Sequence, residues 1–306
     1  MHLVYSPRYH IDIGPHVYPT TKYRLVYEQL RAAGLSGACQ GVEPVPASWE
    51  DLALVHTREY LAKVRNGTLT PIELAELELP WSRDIVDGFR LMTGGTIVAG
   101  ERATGMPGTG RRLQPAIAAH VGGGFHHAFA NHGEGFCLFN DVAVAIRVLQ
   151  RRGLVHGAAI IDLDVHHGNG SSMIFDRDET VFTFSMHQQH NYPVFKPKSS
   201  LDIGLVDGTG DTTYLHLLAG ALPKVFHSYP DIVFYLAGAD PYVDDQLGGL
   251  ALTKEGLRQR DRMVLQAARA AGVPVAIVLA GGYARHVEDT VAIHVATIEE
   301  ALAIRR

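Results

Sequence analysis

The sequence predicts an α/β protein: a single domain, residues 1–306, built on an open, mostly parallel sheet with helices on both faces. Three observations carry that expectation. Apolar runs such as AIAAHV (116–121), DIVFYL (231–236) and VPVAIV (273–278) are continuous instead of alternating, as strands buried on both faces are. Amphipathic stretches of helical length separate them, the order that produces parallel crossovers. No linker, repeat or low-complexity tract divides the chain.

Taken in order, LVYS at 3–6 starts a strand, and an aromatic-rich loop runs on through Tyr18 and Pro19. That loop, with Tyr5, Arg8, Tyr9, His10 and His16, reads equally well as a pocket rim and as a satisfied connection. A helix from about Thr20 to Ala33 stops at Gly34. LALV at 52–55 reads as a short strand, after which Thr57 caps a helix that Gly67 ends. Residues 68–80 read as a proline-bounded acidic linker. A weakly polar helix over 82–103 follows, which Gly94 and Gly95 would kink. After a Gly- and Arg-containing loop at 105–113, the strand AIAAHV runs into GGGFHHA. A helix over 141–151, capped by Asn140 or Asp141, leads to the central strand 158–163. TVFTFSMH (180–187) is the next strand, and the stretch 188–210 has so little periodicity that it reads as a long loop, functional or disordered. A helix over 211–226, a strand over 231–240, a Thr253-capped helix, a strand over 273–283 and a closing helix over 287–304 complete the chain.

Composition narrows the function. Hydrophobic residues make up 46% and charged residues 19%, as in an ordinary globular protein. With 27 basic and 32 acidic residues the net charge is -5, which leaves no basic footprint for nucleic acid. Cys39 and Cys137 cannot build a disulfide framework or a Cys-x-x-Cys zinc site, so a reducing compartment is expected. Without a secretory leader or a membrane-spanning run, the expected location is cytoplasmic and no membrane partner is expected. Of 17 histidines, scattered ones such as His56 and His227 read as surface or hydrogen-bonded residues. Those clustered with acids and glycines carry the chemistry.

Four strands end in polar groups: His126 and His127, Asp164 and His166, Asp240, and Tyr283. In open α/β sheets ligands bind beyond the carboxyl ends of the strands, so all four can meet in one crevice. Within AAIIDLDVHHGNG (158–170), Asp162, Asp164 and His166 recur with period two, and Gly168 and Gly170 allow a sharp turn. Alone, that pattern reads more readily as a capped strand end followed by a polar loop. Joined by Asp240, Asp164 and His166 give one nitrogen and two carboxylates with a position left open, as a catalytic metal site needs. Two carboxylates cancel a dication's charge, so its water is acidified less than three histidines would allow. A nearby base is then needed, and His126 and His127 supply it.

In this order, GGGFHHA, GFC, DLDVHHGNG, AGAD and GGY resemble the zinc-dependent histone deacetylase family, within the arginase-deacetylase fold. The motifs span 121–283, and the resemblance covers essentially the whole chain. VYSPRYH near the start and QLGGL at 246–250 look most like class IV and bacterial deacetylase-like amidohydrolases. The resemblance implies one catalytic Zn2+ on Asp164, His166 and Asp240; this ligation would also accept iron(II) or cobalt(II). It implies that Asp162 holds His126 and that Asn169 holds His127, where some members carry an aspartate. A carboxylate favours imidazolium and an amide does not, which makes His126 the electrostatic residue and His127 the general base and then acid. Tyr283 matches the tyrosine that stabilises the oxyanion. Gly135 would offer its carbonyl to the substrate amide, while Phe136 and Tyr192 resemble two aromatic walls of an acyl-lysine tunnel and Leu247 a third. Asp162, Asp164, His166, Ser185 and Met186 follow the pattern of a structural K+ or Na+ site. Cys137 reads as a packing residue.

The implied substrate is an acyl-lysine protein or peptide, acetylated or carrying a longer acyl group. An acylated small amine such as an acetylpolyamine would need the same catalytic residues. A binuclear manganese site of the arginase type needs Asp-x-His-x-Asp, but Gly168 stands at the last position and Pro241 and Tyr242 follow Asp240. From another class, a non-catalytic acyl-lysine reader would gain nothing from keeping a general base.

Overall fold

The computed structural model describes residues 1–105 and 116–305. The loop expected at 105–113 lies, beyond Gly105, outside the described residues. Eight strands form one sheet: β1 (His2–Val4), β2 (Gln40–Val42), β3 (Ile117–His120), β4 (Ala158–Asp162), β5 (Val181–Gln188), β6 (Leu201–Leu205), β7 (Ile232–Leu236) and β8 (Val275–Val278). Their order is β2-β1-β3-β8-β7-β4-β5-β6, and every pairing is parallel. All residues of β4, β7 and β8 are buried, which is why these runs are continuously apolar. The helices form two packed groups: Arg83–Thr104 lies on Asp141–Arg151, while Lys22–Ala32, Val287–Arg305, Lys254–Ala271 and Asp211–Phe226 pack in that succession. No helix among the described residues is long and apolar enough to cross a membrane.

Parallel strands bring all their carboxyl ends to one edge. β3 and β4 follow one another in the chain but are separated in the sheet by β7 and β8. The loops leaving these four central strands therefore open around a common crevice.

Several local expectations are corrected. Residues 52–55 are not a strand: the helix Trp49–Leu52 occupies the segment's start, and the Ser48 side chain caps it by accepting the Asp51 N–H at 3.0 Å. The supposed linker contains the helix Pro71–Leu77, because Thr70 and Glu73 form a capping box and proline stands in its first turn. Arg83–Thr104 is one unbroken helix. Its glycines serve close packing, since a Cβ at Gly94 would strike the Val45 carbonyl and one at Gly95 the His120 ring and Tyr9 hydroxyl. The aperiodic stretch 188–210 contains β6, an edge strand whose five residues are too few for its alternation to stand out. The short β2 and the helix Asn169–Ile174 were not anticipated.

Candidate active site

β4 ends at Asp162, and the turn beyond it carries Asp164 and His166. Asp164 is fixed by three donors or near neighbours. Its Oδ1 accepts the His166 backbone N–H at 3.0 Å and faces His166 Nδ1 at 3.1 Å, while Oδ2 accepts the Gly281 N–H at 2.8 Å. Asp240, beyond β7, accepts the Val165 N–H on Oδ1 at 2.9 Å. Its Oδ2 stands 3.4 Å from His166 Nδ1, has no hydrogen-bond partner among the described residues and is wholly buried. A carboxylate oxygen left bare in the interior costs several kcal/mol, on the order of its lost hydration, unless a cation meets it.

The surroundings fit such a cation. A Cβ at Gly281 would run into both carboxylates, and one at Gly238 would lie 2.8 Å from Asp164 Oδ2 and 2.9 Å from Asp240 Oδ1. Glycine is thus required on two sides of the cluster. Burial, and then the Asp164 charge, push the Asp240 carboxyl up to about 7. Against burial, Asp164 and Asp240 hold the His166 imidazole up to about 10. Both shifts express one field that demands positive charge, and Asp164, His166 and Asp240 have their donor atoms within 4.8 Å of one another. Two carboxylates and one imidazole suit a single zinc-like divalent ion.

Behind this cluster, GGGFHH places two more histidines. The Asp141 carboxylate accepts the Gly124 and Phe125 N–H groups at 3.0 and 2.7 Å, pinning the backbone just before them. His126 Nδ1 meets Asp162 Oδ2 at 2.7 Å, and His127 Nδ1 meets Asn169 Oδ1 at 2.7 Å. The Nε2 atoms of the two rings are 3.1 Å apart. Proton positions follow from the partners. Asn169 Nδ2 can only donate, and it donates to Glu134 Oε1 at 2.8 Å, so Oδ1 must take the Nδ1–H of His127. His127 Nε2 then keeps the lone pair of a neutral ring. Facing it, His126 Nε2 must be the donor, which makes His126 the imidazolium. Electrostatics agree: burial opposes the charge on His126, but Asp162 and Asp164 hold it up to about 9. Burial, with the neighbouring His126 and His166 charges, drives His127 well below the ordinary histidine range.

Tyr283 follows β8 and is anchored by its backbone N–H, which Asp245 Oδ2 accepts at 2.7 Å. Its ring lies 6.4 Å from that of His166. Burial, then Asp164 and Asp240, push its phenol well above the usual range, so it remains an O–H donor.

A pocket of about 190 Å³ leads to these groups, and Gly135, Phe136, Tyr192 and Leu247 all line it together with His126, His127, Asp164, His166 and Tyr283. The Tyr192 ring is 5.0 Å from that of His127, and its hydroxyl donates to Glu134 Oε1 at 2.9 Å. Phe136 stacks on Tyr18 at 6.1 Å. In the amino-terminal loop Tyr9 is buried and bonded to His120 at 2.8 Å, His16 packs on Phe136, and Tyr18 at the loop's end lines the pocket. Ser185 stands opposite Asp162 in the β4–β5 pairing and Met186 is buried beside it. Cys137 lines the pocket as packing, with burial pushing its thiol well up.

Sequence reasoning missed Glu134, Glu78, Tyr18, Tyr23 and Lys22. Glu134 stands immediately before the recognised GFC motif, which was the available signal. Lys22 gave none, because a lysine opening an amphipathic helix reads as solvated. In the fold it is fully buried, donates to the Ala280 carbonyl at 2.7 Å and lies 5.7 Å from the Tyr283 ring. Burial takes its ammonium down to about 8, although Asp240, Asp164 and Asp245 oppose the shift.

Comparison with known proteins adds four findings. The histone deacetylase domain family matches residues 16–298. An uncharacterized protein of Picosynechococcus sp. (strain ATCC 27264 / PCC 7002 / PR-6) is 42% identical over 294 residues, 95% of each chain. Histone deacetylase 2 of Arabidopsis thaliana is 30% identical over 308 residues, covering 94% of this chain and 77% of that one. Among solved structures, the crystal structure of the HDA15 HD domain superposes with a TM-score of 0.77 at 24% identity, over 99% of this chain and 91% of that one, and so shares its fold.

Proposed function

This chain belongs to the histone deacetylase family, and on that premise we propose that it hydrolyses the amide of acyl-lysine in a protein or peptide, using a zinc ion held by Asp164, His166 and Asp240. Its general character is that of a deacetylase; the lysine substrate and the metal are the further step. The observation that carries the reading is the pocket itself, walled by Phe136, Tyr192 and Leu247 and ending at a paired imidazolium and imidazole. Such a channel suits a long aliphatic side chain bearing an amide at its end.

A divalent cation there supplies Lewis acidity, polarising the amide carbonyl and making water more acidic. The protein's own residues do the rest. His127 Nε2 takes a proton from the attacking water and returns it to the leaving lysine nitrogen. His126, kept cationic by Asp162, stabilises the negative charge that develops, and the Tyr283 hydroxyl donates to the carbonyl oxygen as it becomes an oxyanion. The Gly135 carbonyl would accept the substrate amide N–H. Asp162, Asp164, His166, Ser185 and Met186 would hold a structural K+ or Na+ ion beneath the site.

A second reading has its own observation. Glu78 lines the pocket beside the aromatic walls, and its carboxylate would pair with the far ammonium of an acylated diamine. Peptides bearing acetyl-, octanoyl- and myristoyl-lysine, assayed beside acetylputrescine with metal-free enzyme and Asp240→Ala as controls, separate the readings. Metal-dependent turnover of a lysine peptide is the expected result. Turnover of acetylputrescine alone would replace it with the small-amine reading, and zinc binding without any turnover would point to a reader.

A further inference from the structure

His167 directly follows a residue of the candidate active site, but its ring turns toward β5 and β6. In the β5–β6 pairing Ser185 stands opposite Asp202 and His187 opposite Gly204. Residues two apart on a strand share a face, so Ser185, His187 and Asp202 project together, and His167 approaches them from the turn after β4. His167 Nε2 is 3.2 Å from Asp202 Oδ1, and the His167 and His187 rings meet edge to face with centroids 4.6 Å apart. One donor atom from each of His167, His187 and Asp202 lies within 4.8 Å of the other two.

Two of the three donors are already oriented by a neighbour. Ser185 Oγ engages His187 Nδ1 at 3.0 Å, which turns Nε2 to the opposite side of the ring. The Ser199 backbone N–H donates to Asp202 Oδ2 at 2.8 Å, leaving Oδ1 toward the imidazoles. His167 is buried, and its Nδ1 has no hydrogen-bond partner among the described residues; only Asp202 and, at 3.4 Å, the Ser199 hydroxyl address the ring. Partners that fix the far side of an imidazole and of a carboxylate are the usual support of metal ligands. The 3.2 Å separation also fits, since donors about 2.0–2.1 Å from one tetrahedral zinc ion are about 3.3 Å apart.

We propose that His167, His187 and Asp202 form a second metal site, for one zinc-type divalent cation, separate from that of Asp164, His166 and Asp240. Two imidazoles and one carboxylate favour zinc, cobalt(II) or nickel(II) over magnesium and calcium. The Asp202 side chain is 30% exposed, so an ion can enter from solvent and keep a water as its fourth ligand. Occupancy would tie the turn after β4 to β5 and to the edge strand β6. The segment between β5 and β6 carries Asn191 and Tyr192, both lining the pocket, so the ion clamps both ends of one tunnel wall. The site does not depend on the deacylase reading.

The test is metal stoichiometry of the whole protein. Metal-free protein titrated with Zn2+ is expected to bind two equivalents, Asp240→Ala one, and Asp202→Asn and His187→Gln one each. Titration with Co2+ gives a second readout: the wild-type visible spectrum minus that of Asp202→Asn should show the bands of a low-coordinate site with nitrogen ligands. Because Asp202 is partly exposed, its amide variant is the one best placed to fold if His187→Gln does not. A single equivalent in the wild type, or two that survive unchanged in Asp202→Asn, would overturn the second site.

Discussion

Two neighbouring dyads in this protein are built to nearly the same dimensions. His126 meets Asp162 and His127 meets Asn169, each at 2.7 Å, and both rings are buried. The partners differ by one charge, and the outcome differs in direction: His126 is held up to about 9 while His127 is driven well down. Burial acts downward on both, so it cannot be the cause of the difference. A carboxylate outweighs desolvation and an amide does not; once His126 is cationic, its charge suppresses the ring 3.1 Å away. The pair therefore holds one proton beyond two neutral rings, and its location is set by partners outside the pair.

The largest effect should come from removing the neutral member. Because general base catalysis is worth roughly 10²–10⁴-fold, His127→Ala should lower kcat by that order with KM little changed. Steady-state kinetics of His127→Ala and His126→Ala decide the assignment, since a greater loss in His126→Ala would reverse the two roles. Next is Asp162→Asn, which makes the first dyad a copy of the second. An amide no longer supports the imidazolium, and a loss of about 10–100-fold in kcat is expected, the range typical of groups one shell removed from a metal site. Wild-type turnover in this variant would show that the His126 charge does not matter.

Asn169→Asp makes the opposite copy. A carboxylate partner raises the proton affinity of His127, so the free base appears only at higher pH. The acidic limb of kcat/KM moves upward, and turnover at pH 7 falls by about tenfold for each unit by which that limb comes to stand above pH 7, recovering in alkali. Glu134 complicates this exchange, because its Oε1 is 2.8 Å from the atom that would become the second aspartate oxygen. Two facing carboxylates would share a proton and blunt the shift. The double variant Asn169→Asp/Glu134→Gln removes that conflict and should show the larger displacement. A pH profile unmoved in both variants would sink the partner argument.

How far the sequence disclosed these features depends on what holds each one. The ends of β3, β4, β7 and β8 were legible because buried parallel strands are continuously apolar and break abruptly into polar residues, as in AAIIDLDVHH. Asp164, His166 and Asp240 followed from the chemistry of that edge, and the recognised motifs added the tunnel residues that the pocket gathers. Local capping outweighs hydrophobicity in two places: LALV has the apolar letters of a strand but Ser48 caps a helix there, and TPIELAEL has the composition of a linker but Thr70 and Glu73 box a helix start. Other features are tertiary. Nothing near Lys22 in the sequence signals burial, because Ala280, its hydrogen-bond partner, lies 258 positions away. The orientation of Asn169 depends on Glu134, 35 positions earlier, so the motif names the amide without saying which way it faces.

That orientation gives the smallest and most discriminating change. Glu134 Oε1 accepts from both Asn169 Nδ2 and the Tyr192 hydroxyl. It therefore places a carboxylate one residue behind the second dyad, and the contrast with Asp162 holds only if the intervening amide transmits orientation and not charge. Glu134→Gln separates these roles, since a glutamine carbonyl can accept the same two hydrogen bonds without the charge. Exchanging charged for neutral acceptors weakens such bonds by about 0.5–1 kcal/mol, so kcat should fall less than about fivefold, with the acidic limb unmoved. Glu134→Ala, which frees the Asn169 amide to rotate, should lose more. A limb that moves to lower pH in Glu134→Gln would mean that the distant charge does reach His127 through the amide. The second dyad would then be a diluted version of the first, and the difference between the two would be one of distance and not of kind.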